Sequence, residues 1–324
     1  MKIQKFNSSF YKKDFISVEQ FSSKKELDNI FFLAEKIKKQ IKLRNLKPLL
    51  NNFCITQLFY QPSTRTFTSF LAAASFLGAK VVPIHGMQAY SSAVKGETLE
   101  DTIRTVEQTT AADLIVLRHP DNDSSDIAAR FASVPVVNAG SGSKEHPTQA
   151  VLDLYTIKRY FNCVDGLTII FVGDLKYGRT VKSLAKLLSI YAKKIKFIFV
   201  SPKELIMPES EISHLEKKDI KIIQTQDLKK VLPQADVLYV TRIQREWFYK
   251  EGKMQEYNRL KGIYTVDSKL LRLAKKDMIV MHPLPRVDEI AYDVDEDKRA
   301  KYFEQMRNGL YTRIALLRLI LLGK

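Results

Sequence analysis

Ser63-Thr64-Arg65-Thr66 brings hydroxyl groups and one guanidinium into a single turn. The segment before it, residues 53–59, is apolar enough to be a buried strand, and Pro62 ends it. After it, Phe67, Phe70, Leu71 and Ala74 recur at helical spacing as far as Leu77-Gly78, where glycine supplies a stop. Ser63 therefore falls where an N-cap belongs. The turn presents free backbone N–H groups, hydroxyls and a cation at the positive end of a helix dipole, a set of groups able to hold a phosphate. A capped helix with an exposed arginine would use the same four residues, so this stretch alone leaves both readings open.

Other polar clusters also follow apolar runs. They are Arg118-His119-Pro120, Ser143 to Gln149, Gly173 to Arg179, Thr241-Arg242-Ile243-Gln244 and His282-Pro283-Leu284-Pro285-Arg286. In open parallel sheets, ligands bind beyond the carboxyl ends of strands. The first clusters offer hydroxyls, arginine and histidine, suited to a phosphate beside a polarised carbonyl. The later ones offer Arg179, Arg242 and Gln244, suited to carboxylates. Each has a plainer alternative: His146 capping its own helix, Arg118 in a surface ion pair, Arg286 paired with Asp288 or Glu289. His119 and His282, each before a proline, are read as non-catalytic. No His/Cys/Asp/Glu spacing suggests a metal site, and no cofactor is expected. Gly173 to Thr180 matches the phosphate-loop pattern except that Arg179 replaces its lysine. Leu175 and Tyr177 are bulky for a loop that wraps a triphosphate, and there is no G-x-G-x-x-G, so a nucleotide is disfavoured.

The elements that must position these clusters alternate. Strands are expected at 53–59, 80–84, 113–117, 134–138, 167–172, 196–200, 220–223, 236–240 and 277–281. Helices are expected at 20–45, from Ser63 to Leu77, and at 97–108 and 126–132. Further helices are expected from Pro147 onward and at 179–190, 209–217, 268–275 and 301–321. This alternation implies α/β architecture, with two doubly wound parallel-sheet domains. The two sets of polar loops face each other if the domains share an interdomain active-site cleft, which is the expectation.

The bulk composition narrows the function classes. A chain of 324 residues with 45% hydrophobic content can fill two cores. The 52 basic and 36 acidic residues leave a formal charge of +16, compatible with nucleic acid, a membrane surface or small anionic substrates. The lysines are scattered (Lys36, Lys38, Lys39, Lys42; Lys193, Lys194, Lys196; Lys217, Lys218, Lys221), as on a solvated face. A nucleic-acid binder needs clustered Lys/Arg with interleaved aromatics, so no nucleic acid is expected. Cys54 and Cys163 argue against a disulfide scaffold and fit a reducing, cytoplasmic setting; Cys54 reads as a small core residue. The N-terminus shows no signal-peptide pattern. The run from Ile314 to Leu322 is interrupted by Arg318 and too short to span a bilayer.

Several motifs in order resemble the aspartate carbamoyltransferase family over nearly the whole chain. They are Pro62-Ser-Thr-Arg-Thr66, Ser91-Ser-Ala-Val-Lys-Gly-Glu-Thr98, Arg118-His-Pro120, His146-Pro-Thr-Gln149, Val172-Gly-Asp-Leu-Lys-Tyr-Gly-Arg-Thr-Val181, Thr241-Arg-Ile-Gln244 and His282-Pro-Leu-Pro-Arg-Val-Asp-Glu-Ile290. The resemblance implies transfer of the carbamoyl group of carbamoyl phosphate to L-aspartate, an early step of pyrimidine biosynthesis. It implies a carbamoyl-phosphate-binding domain at 1–147, with a C-terminal helix at about 303–324 packing back on it, and an aspartate-binding domain at 148–302.

Residue by residue, the resemblance implies that Ser63, Thr64, Arg65 and Thr66 hold the phosphate, and that Thr66, Arg118 and His146 point at the carbonyl oxygen. Gln149 and the backbone near Pro283 and Leu284 would orient the carbamoyl NH2. Arg179, Arg242 and Gln244, with Leu284, would bind aspartate. Ser91 and Lys95 would reach into the site of a neighbouring subunit, making a homotrimer with shared sites. Arg65, Thr66, Arg118, His146 and Lys95 form the implied catalytic set. The resemblance leaves open regulatory chains or a dihydroorotase partner. It also leaves open a carbamoyltransferase acting on another amino acid, or a catalytically silent scaffold.

The sister ornithine family looks for Asp-x-x-x-Ser-Met-Gly and His-Cys-Leu-Pro where this chain has Thr241-Arg-Ile-Gln244 and His282-Pro-Leu-Pro285. Two arginines suit a dicarboxylate and would repel a cationic side chain. Two positions depart from the family's usual charges: Gln61 stands where many members have an acid, and Trp247 where many have arginine. The expectation is that Gln61 hydrogen-bonds Arg179 in place of an ion pair.

Overall fold

A computed structural model describes residues 8–87, 92–218 and 220–323. Two α/β units emerge, Met1–Tyr155 with Arg307–Lys324, and Thr156–Met306. In the first, the amphipathic α1 (Lys24–Lys42) precedes β1 (Cys54–Phe59), α2 (Thr64–Phe76), β2 (Lys80–His85), α3 (Leu99–Thr110), β3 (Leu114–His119), α4 (Ser124–Phe131) and β4 (Val136–Ser141). α5 (Pro147–Phe161) then leads into the second unit. That unit runs through β5 (Thr168–Val172), α6 (Arg179–Tyr191), β6 (Lys196–Val200), α7 (Glu209–Glu216), β7 (Lys221–Thr225), α8 (Leu228–Val231), β8 (Val237–Val240), α9 (Arg245–Lys250), α10 (Met254–Leu260), α11 (Ser268–Leu271) and β9 (Ile279–Met281). α12 (Tyr302–Leu322) begins in the second unit and, from Arg307, belongs to the first. Among the described residues no helix is long and apolar enough to cross a membrane.

Both sheets are wholly parallel, because every connection is long enough for a crossover. The first has the order β2-β1-β3-β4 and the second β7-β6-β5-β8-β9. Parallel strands buried on both faces need apolar residues at nearly every position, and Leu114 to Leu117 and Ile169 to Val172 meet that need. In the second unit Ile170, Val172, Ile198, Val200, Leu238 and Val240 build one core face. The alternate residues Phe171, Phe197, Phe199 and Tyr239 stack on the other, with Phe171 and Phe199 at 5.5 Å. In the first unit Leu58, Ile103, Ile115, Leu117 and Val136 form the corresponding cluster.

Each sheet reverses its winding once. β1 lies between β2 and β3, and β5 lies between β6 and β8. The crevices at the carboxyl ends of β1/β3 and of β5/β8 are therefore the topological switch points where an open α/β sheet binds ligands.

Several boundaries differ from the periodicity reading. β4 extends to Ser141, taking in Gly140 and Ser141, because Asn138 folds its side chain back on the strand end: its Oδ1 accepts from Gly140 N at 2.7 Å. β8 starts at Val237 and β9 at Ile279, and the expected helix at 268–275 contracts to four residues. α9 and α10 were not expected. Their apolar residues pack in a small satellite cluster around Phe248 and Leu260, too short for a clear period. Cys54, expected in the core, is only half-buried at the start of β1.

One buried group in β1 lacks partners. Gln57 is fully buried between Pro83 and Val116, and neither amide atom has a hydrogen-bond partner among the described residues. Leaving a buried amide unsatisfied costs about 1–3 kcal/mol. Gln57→Met is therefore expected to stabilise the fold by about 1–2 kcal/mol in chemical denaturation. A lower midpoint for the variant would show that the amide is bonded in solution.

Candidate active site

The β1/β3 switch point carries the phosphate-type cluster. Ser63 occupies the N-cap of α2 in extended backbone, but its side chain makes no capping bond. Thr64 is exposed, Arg65 half-buried and Thr66 buried. These residues sit at the positive end of a 13-residue helix whose first N–H groups have no intrahelical acceptor.

Arg118 lies at the end of β3. Its guanidinium donates to the Ala139 carbonyl at 3.1 Å. His119 is buried, stacks edge-on against Tyr60 at 4.3 Å, and accepts from Asp121 N at Nδ1. Burial holds its pKa below the usual value, against the pull of Asp121 and Asp123.

His146 stands immediately before Pro147 and is buried, with Nε2 3.4 Å from Thr66 Oγ1. It therefore faces the head of α2, which the reading of it as a cap on its own helix did not include. A tight link between Ser141 and Glu145 closes the loop behind it. Glu145 Oε1 in turn accepts from Val18 N at 2.7 Å, tying this loop to the N-terminal segment. One turn on, Gln149 Nε2 donates to the buried Asp153 at 2.8 Å. That bond commits the amide nitrogen and leaves the carbonyl oxygen as the acceptor end.

The β5/β8 switch point carries the carboxylate-type cluster. Gly173 has φ +121°, and a Cβ there would lie 2.1 Å from the Thr241 carbonyl oxygen, so only glycine lets the two strand ends approach. Asp174, fully buried, accepts from Tyr177 N at 2.9 Å and from Gln244 N at 3.4 Å, stitching the loop after β5 to the loop after β8. This arrangement disposes of the phosphate-loop reading: the loop's interior holds a carboxylate, which would repel a phosphate.

Arg179 opens α6, and Arg242 and Gln244 precede α9. Burial lowers the Arg179 pKa to about 10, with Glu246 opposing and Arg242 adding to the fall. Arg242 makes a two-point ion pair with Glu246, four residues on. Two guanidiniums thus meet at this crevice, with the Glu246 carboxylate paired to Arg242 and those of Asp174 and Glu289 acting on it from nearby.

The third loop of this unit is held by His282. Its Nδ1 accepts from Leu284 N at 2.7 Å, so Nε2 carries the proton and donates to Glu289 at 2.7 Å. Glu289 also accepts from Val287 N and Asp288 N at 3.1 Å. Burial would raise the Glu289 carboxyl, but these donors hold it below its usual value. Leu284 takes φ 53° and a cis bond to Pro285. Arg286 pairs with Asp295 and Tyr302, not with Asp288 or Glu289. Of the implied inter-subunit residues, Lys95 is exposed at the end of the turn Ser92–Lys95, and Ser91 lies outside the described residues.

The model of the carbamoyl-P binding domain of aspartate/ornithine carbamoyltransferases matches residues 13–159, and that of the Asp/Orn binding domain matches residues 165–320. The aspartate carbamoyltransferase catalytic subunit of Methanopyrus kandleri is 47% identical over 317 residues, covering 98% of this chain and 99% of that subunit. The chain belongs to the aspartate/ornithine carbamoyltransferase family. A multifunctional protein of Neurospora crassa is 46% identical over 316 residues, and this chain spans 17% of its length. Aspartate transcarbamoylase from Trypanosoma cruzi, solved with N-(phosphonacetyl)-L-aspartic acid, matches with a TM-score of 0.90 at 42% identity over 97% of each chain.

In this carbamoyltransferase family member, Asp153, Asp174, Glu246 and Glu289 shape the two crevices, although the motif reading assigned none of them a role in the site. Asp174 lies within the motif Val172 to Val181, and its clearest signal is a carboxylate two residues past the apolar run Ile169 to Val172, where burial demands partners.

Proposed function

We propose that the chain catalyses attack of the L-aspartate α-amine on the carbonyl carbon of carbamoyl phosphate, giving N-carbamoyl-L-aspartate and phosphate early in pyrimidine biosynthesis. The observation that carries this reading is the pair Arg179 and Arg242 at the β5/β8 switch point. They offer two guanidiniums to a dicarboxylate, one of them oriented by Glu246, in a chain whose relative was solved with a compound joining phosphonate and aspartate.

In this reading the head of α2 takes the phosphate through Ser63, Thr64, Arg65 and Thr66, with helix-end N–H groups adding to the field. Thr66, Arg118 and His146 donate to the carbonyl oxygen as the nitrogen lone pair forms the new C–N bond and negative charge gathers on that oxygen. The C–O bond to phosphate then breaks, phosphate leaves with the electron pair, and it accepts the amine proton. No protein nucleophile is required, so the work is orientation and charge stabilisation. Gln149, with its nitrogen committed to Asp153, accepts from the carbamoyl NH2. Arg179, Arg242 and Gln244 hold the aspartate carboxylates beside Leu284.

Lys95, exposed on a polar segment, would complete the site of a neighbouring copy in a homotrimer that includes Ser91. The free thiols of Cys54 and Cys163 fit a cytoplasmic setting.

The deciding experiment measures ureido product from carbamoyl phosphate with aspartate and, in parallel, with ornithine. Product with aspartate alone is expected. Product with ornithine alone would refute the assignment of Arg179 and Arg242, and product with neither would favour a silent scaffold.

A further inference from the structure

Trp247 is the one tryptophan in the chain, and it stands on α9 at the edge of the carboxylate-type crevice. Its ring lies against that of Tyr177, with centroids 5.3 Å apart and planes 9° from parallel. Lys176 Nζ lies 5.0 Å from the centre of the Tyr177 ring, and Lys250 Nζ lies 5.0 Å from the centre of the Trp247 ring. The Tyr177 hydroxyl donates to Glu251, just past the end of α9. The stack thus joins two segments about seventy residues apart in sequence, one from each side of the β5/β8 switch point.

What it joins matters for the crevice. Tyr177 is two residues before Arg179, and its carbonyl accepts from Arg179 N at 2.9 Å. Trp247 follows Glu246, the partner of Arg242, and its own N–H donates to the Gln244 carbonyl at 3.1 Å. α9 has six residues, too few to be stable as an isolated helix. Its buried anchor is Phe248, in a small cluster with Leu205 and Leu260 that also receives Tyr177 and Ile243. Offset aromatic pairs and cations over aromatic rings each contribute favourably beyond their buried area. Phe248 anchors the buried side of α9, and the stack holds its crevice side, where it bears on the position of Glu246 and, through it, of the Arg242 guanidinium relative to Arg179.

We propose that Trp247 is a positioning residue for dicarboxylate recognition: stacked on Tyr177, it sets the spacing between the Arg179 and Arg242 guanidiniums. The inference rests on the reading of this crevice as the aspartate site. Trp247 touches no substrate in this account. It acts by keeping α9 in register with the loop after β5.

The test uses the full chain in its native assembly. Trp247→Ala is expected to raise the KM for aspartate about tenfold while kcat and the KM for carbamoyl phosphate stay within about twofold, as when uniform binding of one substrate is lost. Trp247→Phe, which retains a stacking ring, is expected to restore the aspartate KM to within about threefold. In the unsubstituted chain, succinate added with carbamoyl phosphate should change the emission of this single indole saturably, since a ligand bridging the two arginines bears on the stack between them. An unmoved aspartate KM in Trp247→Ala, a silent emission titration, or a loss of thermal stability that Trp247→Phe repairs without repairing KM each overturns the inference. Aspartate turnover by the unsubstituted chain with an unmoved variant refutes this inference alone. No aspartate turnover by the unsubstituted chain refutes the underlying reading and this inference with it.

Discussion

His146→Ala is expected to lower kcat about 100- to 1000-fold with little change in the KM for aspartate. The magnitude is that of removing one donor aimed at a developing oxyanion. The argument is geometric. His146 Nε2 and Thr66 Oγ1 converge to 3.4 Å, although they come from helices 80 residues apart. Arg118 is anchored by the Ala139 carbonyl, at the end of the strand beside them. In the proposed mechanism these three donors, held at a sheet edge and two helix heads, need little reorganisation when charge develops between them. His146→Asn retains a donor and separates loss of the hydrogen bond from loss of the ring. Its kcat is expected between those of the alanine variant and the unsubstituted chain. If His146→Ala keeps kcat within about threefold, the imidazole has no part in stabilising the oxyanion.

Asp174→Asn is expected to weaken aspartate saturation by about 10- to 150-fold and to leave carbamoyl phosphate saturation nearly unchanged. A hydrogen bond to a charged group contributes about 1.5–3 kcal/mol. An amide in this place would turn one donor toward the N–H of Tyr177 or Gln244. The two loops that present Arg179 and Arg242 would then separate. Burial raises the Asp174 pKa to about 6, opposed by the Tyr177 and Gln244 N–H groups and the Lys182 ammonium.

The sign of the stability effect follows from proton binding. Between the usual value of 3.8 and about 6 the folded chain binds this proton and the unfolded chain does not, so this group's contribution to stability falls as pH rises through that window. Function runs the other way, because the ionised carboxylate accepts from both N–H groups more strongly than the neutral acid, one of whose oxygens carries a proton. The KM for aspartate, measured at saturating carbamoyl phosphate, is therefore expected to climb as pH falls through about 6. In Asp174→Asn it should be high and nearly flat over the same range. A parallel pH dependence in the two proteins would assign that limb to another group.

Local chemistry made much of the architecture legible. Apolar runs such as Ile169 to Val172 are strands because a parallel strand is covered on both faces, and that requirement is written in adjacent residues. Ser63 at the head of α2 and Pro147 at the head of α5 are likewise local signals. Each polar cluster directly followed a strand, so the sheet order only had to bring β1 beside β3 and β5 beside β8.

Other features lay beyond any local pattern. α9 and α10 are short, and their apolar residues belong to a cluster assembled from Leu205, Phe248 and Leu260. Arg286 could have met Asp288 or Glu289 by proximity in sequence. His282 and two backbone N–H groups take up Glu289, so Arg286 turns to Asp295.

The sequence by itself determined the alternation of elements, the order of the polar loops and the types of group each loop offers. These depend on periodicity and on neighbours a few residues away. Tertiary structure decided which of those groups are held, and by what: Asp174 between Tyr177 and Gln244, Trp247 against Tyr177, His146 opposite Thr66. Apart from the short link to the Tyr177 N–H, these contacts join segments about 70 to 80 residues apart. They form because the sheet winding brings the carboxyl ends of particular strands together, a consequence of the whole chain's packing that no single stretch contains.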